Sequence, residues 1–150
     1  MSSSGSEDRI VQFFAEEVKM PRFSQQKSAE WLISVAGSED CTLNSLTIIF
    51  CSDDFLHQMN LEYLQHDTFT DIITFPWTQP PEVEGELYIS VDRVRENAAQ
   101  YKVSFTTELH RVMVHGLLHL LGYGDENQAE KETMREKEDF YLEKMIASNP

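Results

Sequence analysis

From Phe105 to Leu121 the chain reads FTTELHRVMVHGLLHLL, a segment that few arrangements can accommodate. Leu109, Val112, Met113, Leu117 and Leu120 recur at helical spacing as one apolar face, and Val114, Leu118 and Leu121 make a second. A helix apolar on two faces is buried on most sides, so the rest of the chain must be built around it. Yet Glu108, Arg111, His115 and His119 recur at steps of three, four and four, as one narrow polar stripe. Polar groups buried without partners cost about 1–3 kcal/mol each. The stripe must be paired, open to a cleft, or bound to something.

The two histidines point to an ion. His115 and His119 are four residues apart, about one helical turn, and face the same way. Gly122 follows where a helix end often needs a left-handed backbone, so the chain can turn back there. Asp125, just past the turn, can then bring a carboxylate oxygen to the same ion. Two imidazoles and a carboxylate leave an open coordination position, the arrangement of catalytic rather than structural zinc. Glu108 and Arg111 are candidates to orient these ligands from behind. A single histidine on a core helix is more often a satisfied core residue than a ligand, and a pair four apart can arise by chance. The glycine turn and the carboxylate together favour the ion.

Length and charge narrow the remaining choices. With 150 residues the chain is the size of one domain, expected to span 1–150 with residues 1–8 as a frayed start. No apolar run approaches the roughly 18 residues of a membrane span, and MSSSGSEDR has neither the cationic start nor the apolar run of a signal peptide. A soluble intracellular protein is expected, with no membrane partner. Cys41 and Cys51 share no ligand spacing with each other or with the histidines, and no chemistry is assigned to them. The formal net charge is −14, and residues 28–92 contain no Lys or Arg. Nucleic-acid affinity comes largely from cations that neutralise phosphates, so only weak autonomous RNA binding is expected.

The remaining segments read as alternating strands and helices. A first strand is expected within Arg9–Val18, then a helix capped by Ser24 and stopped by Gly37. LTIIFC, Leu46 to Cys51, suits a strand buried on both faces. Ser52 or Asp53 can cap a helix running toward Leu64. Thr70–Phe75 and Gly85–Val91 read as neighbouring strands, Asp92 as the cap of a helix through Tyr101, and Ser104 as the cap of the histidine helix. Residues 128–147 form an amphipathic closing helix, whose charge run reads as a solvated face. The expected fold is α+β: a single mixed sheet of about four strands packed by about five helices around a central, buried, metal-binding helix.

The spacing of His115, His119, Gly122 and Asp125 is that of metzincin proteases, whose mechanism needs a glutamate directly after the first histidine. Here that residue is Gly116. Peptide hydrolysis therefore lacks its base. RNA is a substrate that carries its own nucleophile, the 2′-hydroxyl, and a metal can stabilise the charge that develops on the phosphate oxygens.

HGLLHLLGY, preceded by Phe105, Glu108, Leu109 and Arg111, resembles the YbeY family of metal-dependent single-strand endoribonucleases. Asn60, Tyr63, Asp67, Thr70, Asp71 and Phe75 match a second block of that family, and Gly85 to Ser90 its glycine-led strand. The resemblance covers about Leu56 to Leu142. It implies a cytoplasmic bacterial protein that binds zinc and matures ribosomal RNA, including the small-subunit RNA end. A role in ribosome quality control follows with it, and so do ribosome-associated protein partners.

Two positions depart from the pattern. Asp125 stands where the family commonly has a third histidine, and this harder ligand suits zinc but also manganese or another ion. Leu64 stands where the family usually has arginine, which removes a phosphate contact; Arg111 is the nearest replacement, its competing role being an ion pair with Glu108. Asp71, with His66 and Asp67, can line the cleft, although Asp71, opening a strand, reads first as the cap of a turn. His57, His66 and His110 read as surface residues, and the general acid and base stay unassigned. Two other readings remain open: a metallohydrolase of another substrate such as a peptide, and a ribosome-associated binding protein with a residual metal site.

Overall fold

A computed structural model describes residues 10–64 and 70–147. Residues 1–8, expected to be frayed, and the cleft candidates His66 and Asp67 lie outside the described residues. The elements run β1 (Val11–Glu16), α1 (Gln25–Ser38), β2 (Thr42–Cys51), α2 (Asp53–Met59) with a π-helical turn (Asn60–Leu64), β3 (Ile72–Pro76), β4 (Glu82–Ser90), α3 (Val91–Tyr101), α4 (Phe105–Leu120) and α5 (Gln128–Ala147). Among the described residues there is one four-stranded sheet ordered β1-β2-β4-β3. β1, β2 and β4 run parallel, and β3 pairs antiparallel with β4. This is the α+β arrangement expected from the sequence.

Strand β2 lies between two neighbours and is buried on both faces, as its unbroken apolar run requires. Leu46, Ile48 and Phe50 face the main core, whereas Cys51 joins Leu56 and Ile73 in a smaller cluster. Helix α4 packs on β3 and β4 and touches α1, α3 and α5. Leu109, Met113, Val114, Leu117 and Leu118 have no surface left in water. Each such leucine contributes about 1.5–3 kcal/mol by leaving solvent. Beyond the first turn, α4 keeps partial exposure only at Arg111, His115 and His119, which is the stripe of the sequence without Glu108.

Gly116 is what allows α4 to lie this close to the sheet. A Cβ added there would stand 2.7 Å from Ile72 Cδ1 and 2.8 Å from Leu87 Cδ2. At the far end, Gly122 takes φ 112. Its N–H bonds the His119 carbonyl at 3.0 Å while the Tyr123 N–H bonds the Leu118 carbonyl at 3.0 Å. This is the Schellman pattern of hydrogen bonds, which satisfies the last carbonyls and reverses the chain.

Several local expectations need correction. Helix α1 runs past Gly37 to Ser38, and the left-handed residue that ends it is Asp40, at φ 60. Helix α3 is capped by Ser90, whose hydroxyl accepts from Arg93 N, while Asp92 accepts from the N–H of Asp53 at 2.9 Å. His110 is not a surface residue. It is 6% exposed, with its ring edge-on to Phe23 and Trp31. Its Nδ1–H donates to the Thr106 carbonyl at 2.9 Å, which leaves Nε2 to accept from the buried Ser28 hydroxyl at 2.8 Å. Sequence spacing puts it off the stripe of His115 and His119, but that other side is the core. No helix among the described residues is long and apolar enough to cross a membrane.

Two expected outcomes follow. Burial holds the His110 imidazole below its ordinary range, only partly offset by its bond to Thr106. A histidine lowered in the folded state contributes stability that is intact above its unfolded value, about 6.5, and is lost as pH falls toward the folded value. Denaturant unfolding between about pH 7.5 and 5.5 should therefore show a shallower loss of stability in His110→Phe than in the wild type; equal slopes would refute this. Gly116→Leu should lower stability by about 1–3 kcal/mol through overpacking against Ile72 and Leu87, and an unchanged unfolding midpoint would show that the sheet can yield.

Candidate metal centre and cleft

His115 and His119 project from successive turns of α4, and the reversal at Gly122 returns the chain so that Asp125 meets them. His119 Nε2 lies 3.1 Å from His115 Nε2 and 3.3 Å from Asp125 Oδ2, and His115 Nε2 lies 3.5 Å from the same oxygen. A tetrahedral shell with ligand bonds of about 2.0–2.2 Å sets neighbouring ligand atoms about 3.3–3.6 Å apart. The three atoms occupy such a face.

The outward nitrogens of both rings are committed. His115 Nδ1–H donates to Glu138 Oε2 at 2.7 Å, and His119 Nδ1–H donates to the Tyr123 carbonyl at 2.9 Å. In the neutral ring each Nε2 then carries a lone pair. Two lone pairs and a carboxylate oxygen at these separations repel one another unless a positive charge sits between them. The donor set thus fits a divalent cation, with the tautomers fixed from behind in the manner usual for metal-binding histidines.

Glu138, like Tyr123, Asn97, Tyr101 and Arg135, is a residue of the site that sequence spacing does not single out. It is 5% exposed, although it belongs to the acidic run taken as a solvated face. Besides His115, it accepts from Arg111 Nη1 at 2.9 Å, and Arg111 Nη2 reaches Asp139 at 2.8 Å. The ion pair with Glu108, one of the two roles open to Arg111 in the sequence, gives way to pairs with α5. A signal was available: Glu138 falls on the same side of α5 as Met134, Tyr141, Leu142 and Met145, all of them buried. Carboxylates placed among core residues are seldom there without a partner. Tyr123 contributes through its main chain, which no side-chain pattern could reveal. Its hydroxyl donates to Glu39 at 2.6 Å, and Tyr141 and Lys137 donate to the same carboxylate, tying the loop after α4 to the end of α1. Although burial pushes Glu39 upward, these three donors hold it below the usual carboxylate range.

Beside the three convergent atoms lies a cleft of ≈ 320 Å³. Its floor is α4, with Glu108, Arg111 and His115; Asp71 at the start of β3, Asn97 and Tyr101 on α3, Arg135 and Glu138 on α5, and Asp125 form the walls. Asp71 faces the cleft, its carboxylate accepting from Asn97 Nδ2 at 3.3 Å, while its main-chain carbonyl accepts from Ser90 N–H. Glu108 is 4% exposed. Burial pushes both carboxyls above their ordinary range, opposed by His115 for Asp71 and by Arg111 for Glu108. The His115 ring is drawn down by burial, but Glu138 overrides that and leaves it raised. His57 stands on α2, outside this cleft.

Residues 11–146 match the family described as Endoribonuclease YbeY. A curated relative of that name from Amoebophilus asiaticus is 47% identical over 133 residues, covering 88% of this chain and 90% of its own. Another from Flavobacterium johnsoniae is 44% identical over 126 residues, covering 84% and 91%. A solution structure from Thermotoga maritima superposes with a TM-score of 0.66 at 29% identity, over 93% of each chain. Nearly the whole chain takes part in these matches, the histidine helix and its glycine turn included, and the chain belongs to the YbeY endoribonuclease family.

Proposed function

We propose that this chain is a metal-dependent endoribonuclease that cuts single-stranded RNA, with His115, His119 and Asp125 as the metal ligands. The observation that carries the reading is the set of three ligand atoms 3.1–3.5 Å apart with both rings oriented from behind. Zinc suits this donor set, and the carboxylate also admits manganese. A divalent ion held there supplies the positive charge that the phosphate oxygens need as RNA is cleaved.

The chain's own residues do the rest. Glu138 holds the His115 ring in register and, through Arg111 and Asp139, anchors α5 to α4 behind it. The Tyr123 carbonyl does the same for His119. Asp71 and Glu108 face the cleft as carboxyls kept above their ordinary range, so they are the groups placed to hold or move a proton near the substrate. We further propose ribosomal RNA as the substrate, with processing of the small-subunit RNA end and ribosome quality control as the setting, ribosome-associated proteins as partners and the cytoplasm as the location, in line with the family. A single domain is proposed to carry all of it. Ribosome-bound partners would also compensate for an acidic chain, since a net charge of −14 opposes approach to RNA. A peptidase reading finds no support at Gly116, where the side chain a protease needs would run into Ile72 and Leu87.

Metal analysis of the purified protein should find about one divalent ion per chain, and a chelator should stop cleavage of a single-stranded oligoribonucleotide. His115→Ala and Asp125→Ala should lose both metal and cleavage while circular dichroism stays that of the wild type. Metal retention with intact RNA would sink the nuclease assignment and leave the metallohydrolase alternative. Ribosome association unaffected by the chelator, without any cleavage, would favour a binding protein instead. Glu138→Gln should weaken metal affinity about 10–100-fold in a competition titration, and wild-type affinity in that variant would remove Glu138 from the site.

A further inference from the structure

The cleft contains two arginines, and their situations differ. Arg111 is engaged at both ends of its guanidinium by Glu138 and Asp139, so it has little capacity left for a substrate anion. Arg135 reaches the same cleft from α5, is exposed, and among the described residues makes no hydrogen bond or ion pair. Its charge is felt by the buried Glu108 carboxyl on α4, which it stabilises in the ionised form. Since residues 28–92 supply no Lys or Arg, a cation for a strand entering from the β3 side has to come from the later helices. On another wall, Tyr101 ends α3 and lines the cleft with its surface 54% exposed. An aromatic ring left in water beside a polar cleft has lost the benefit of burial unless something covers it.

We propose that Arg135 and Tyr101 form a nucleotide subsite beside the metal centre, Arg135 holding a phosphodiester of the RNA strand and Tyr101 stacking on one of its bases. The proposal rests on the endoribonuclease reading and deepens it. A planar guanidinium matches the geometry of two phosphate oxygens, and its fixed charge suits a phosphodiester at any working pH. Unpaired bases stack on exposed aromatic rings with little regard to identity, whereas a duplex keeps its bases covered by one another. A cleft of ≈ 320 Å³ lies at the small end of ligand pockets, which run from about 300 to 1,000 Å³. That volume suits one nucleotide unit of a strand. The subsite therefore accounts for selection of single strands without any base-specific hydrogen bond.

The test uses zinc-loaded full-length protein and a fluorescein-labelled single-stranded oligoribonucleotide, with KM from cleavage and Kd from stopped-flow anisotropy before cleavage proceeds, over a series of salt concentrations. Arg135→Gln should raise both constants about tenfold and reduce the slope of log Kd against log salt by about one. Tyr101→Ala should raise both about five- to tenfold with the slope unchanged, and Tyr101→Phe should restore wild-type values. Lys19→Gln removes an equal charge outside the cleft lining, just after β1 at the opposite edge of the sheet from β3, and should change neither constant. Zinc content should stay that of the wild type in every variant. Unchanged constants in Arg135→Gln or Tyr101→Ala would overturn the subsite, as would an equal effect in Lys19→Gln or a loss of zinc from either cleft variant. A wild-type protein that leaves the RNA intact would instead bring down the endoribonuclease reading, and the subsite with it.

Discussion

Because α4 is apolar on two faces, it is stable only where the sheet, α1, α3 and α5 remove those faces from water. That requirement decides where the polar stripe can go. Once the apolar faces are covered, the direction left open is that of Arg111, His115 and His119, so the same burial that stabilises the fold delivers the His115 imidazole to the floor of a cleft with His119 one turn beyond it. Gly116 is part of this arrangement. With Ile72 and Leu87 less than 3.0 Å from any Cβ placed there, the helix sits as near to β3 and β4 as its backbone permits. A larger residue would lift the histidines away from Asp71.

The electrostatics of the cleft follow from the same packing. Glu138 is buried between α4 and α5, and a buried carboxylate is tolerated only with strong partners. It has two, His115 and Arg111, and in satisfying itself it fixes one ring and ties down one arginine. His119 is held by a main-chain carbonyl instead, and that carbonyl is positioned by the Schellman turn and by the grip of Glu39 on the Tyr123 hydroxyl. The two rings are thus oriented by different means. One depends on the docking of α5, the other on how α4 ends and how α1 begins to turn into β2.

Acidic groups outnumber cations around the cleft: Asp71, Glu108, Asp125 and Glu138 stand against Arg111 and Arg135. Burial is the main reason that Asp71 and Glu108 are displaced upward, and the neighbouring carboxylates add to it. A divalent cation held by His115, His119 and Asp125 would offset part of this negative charge, so that an anionic strand would be held off less strongly at this cleft than elsewhere on the chain. The overall negative charge of the chain works in the same direction by discouraging unspecific contact with nucleic acid.

How much of this was legible in the residues alone can be judged from individual positions. Periodicity marked the buried helix, its polar stripe and its glycine end, because a 3.6-residue repeat and a left-handed turn are local properties of the chain. Likewise, β2 and the pairing of β3 with β4 could be read from apolar runs bounded by turn residues. His110 and Glu138 could not be placed that way. Each is polar, and whether a polar residue faces water or a partner depends on which element lies opposite, here α1 with Ser28 and Trp31 for one and α4 with His115 and Arg111 for the other. The sequence by itself determined that a helix with two histidines and a reversing end had to be enclosed. Only the tertiary structure decided which of the two cleft arginines is engaged by carboxylates, since that choice is made by long-range packing of α5 on α4, a relation with no local code.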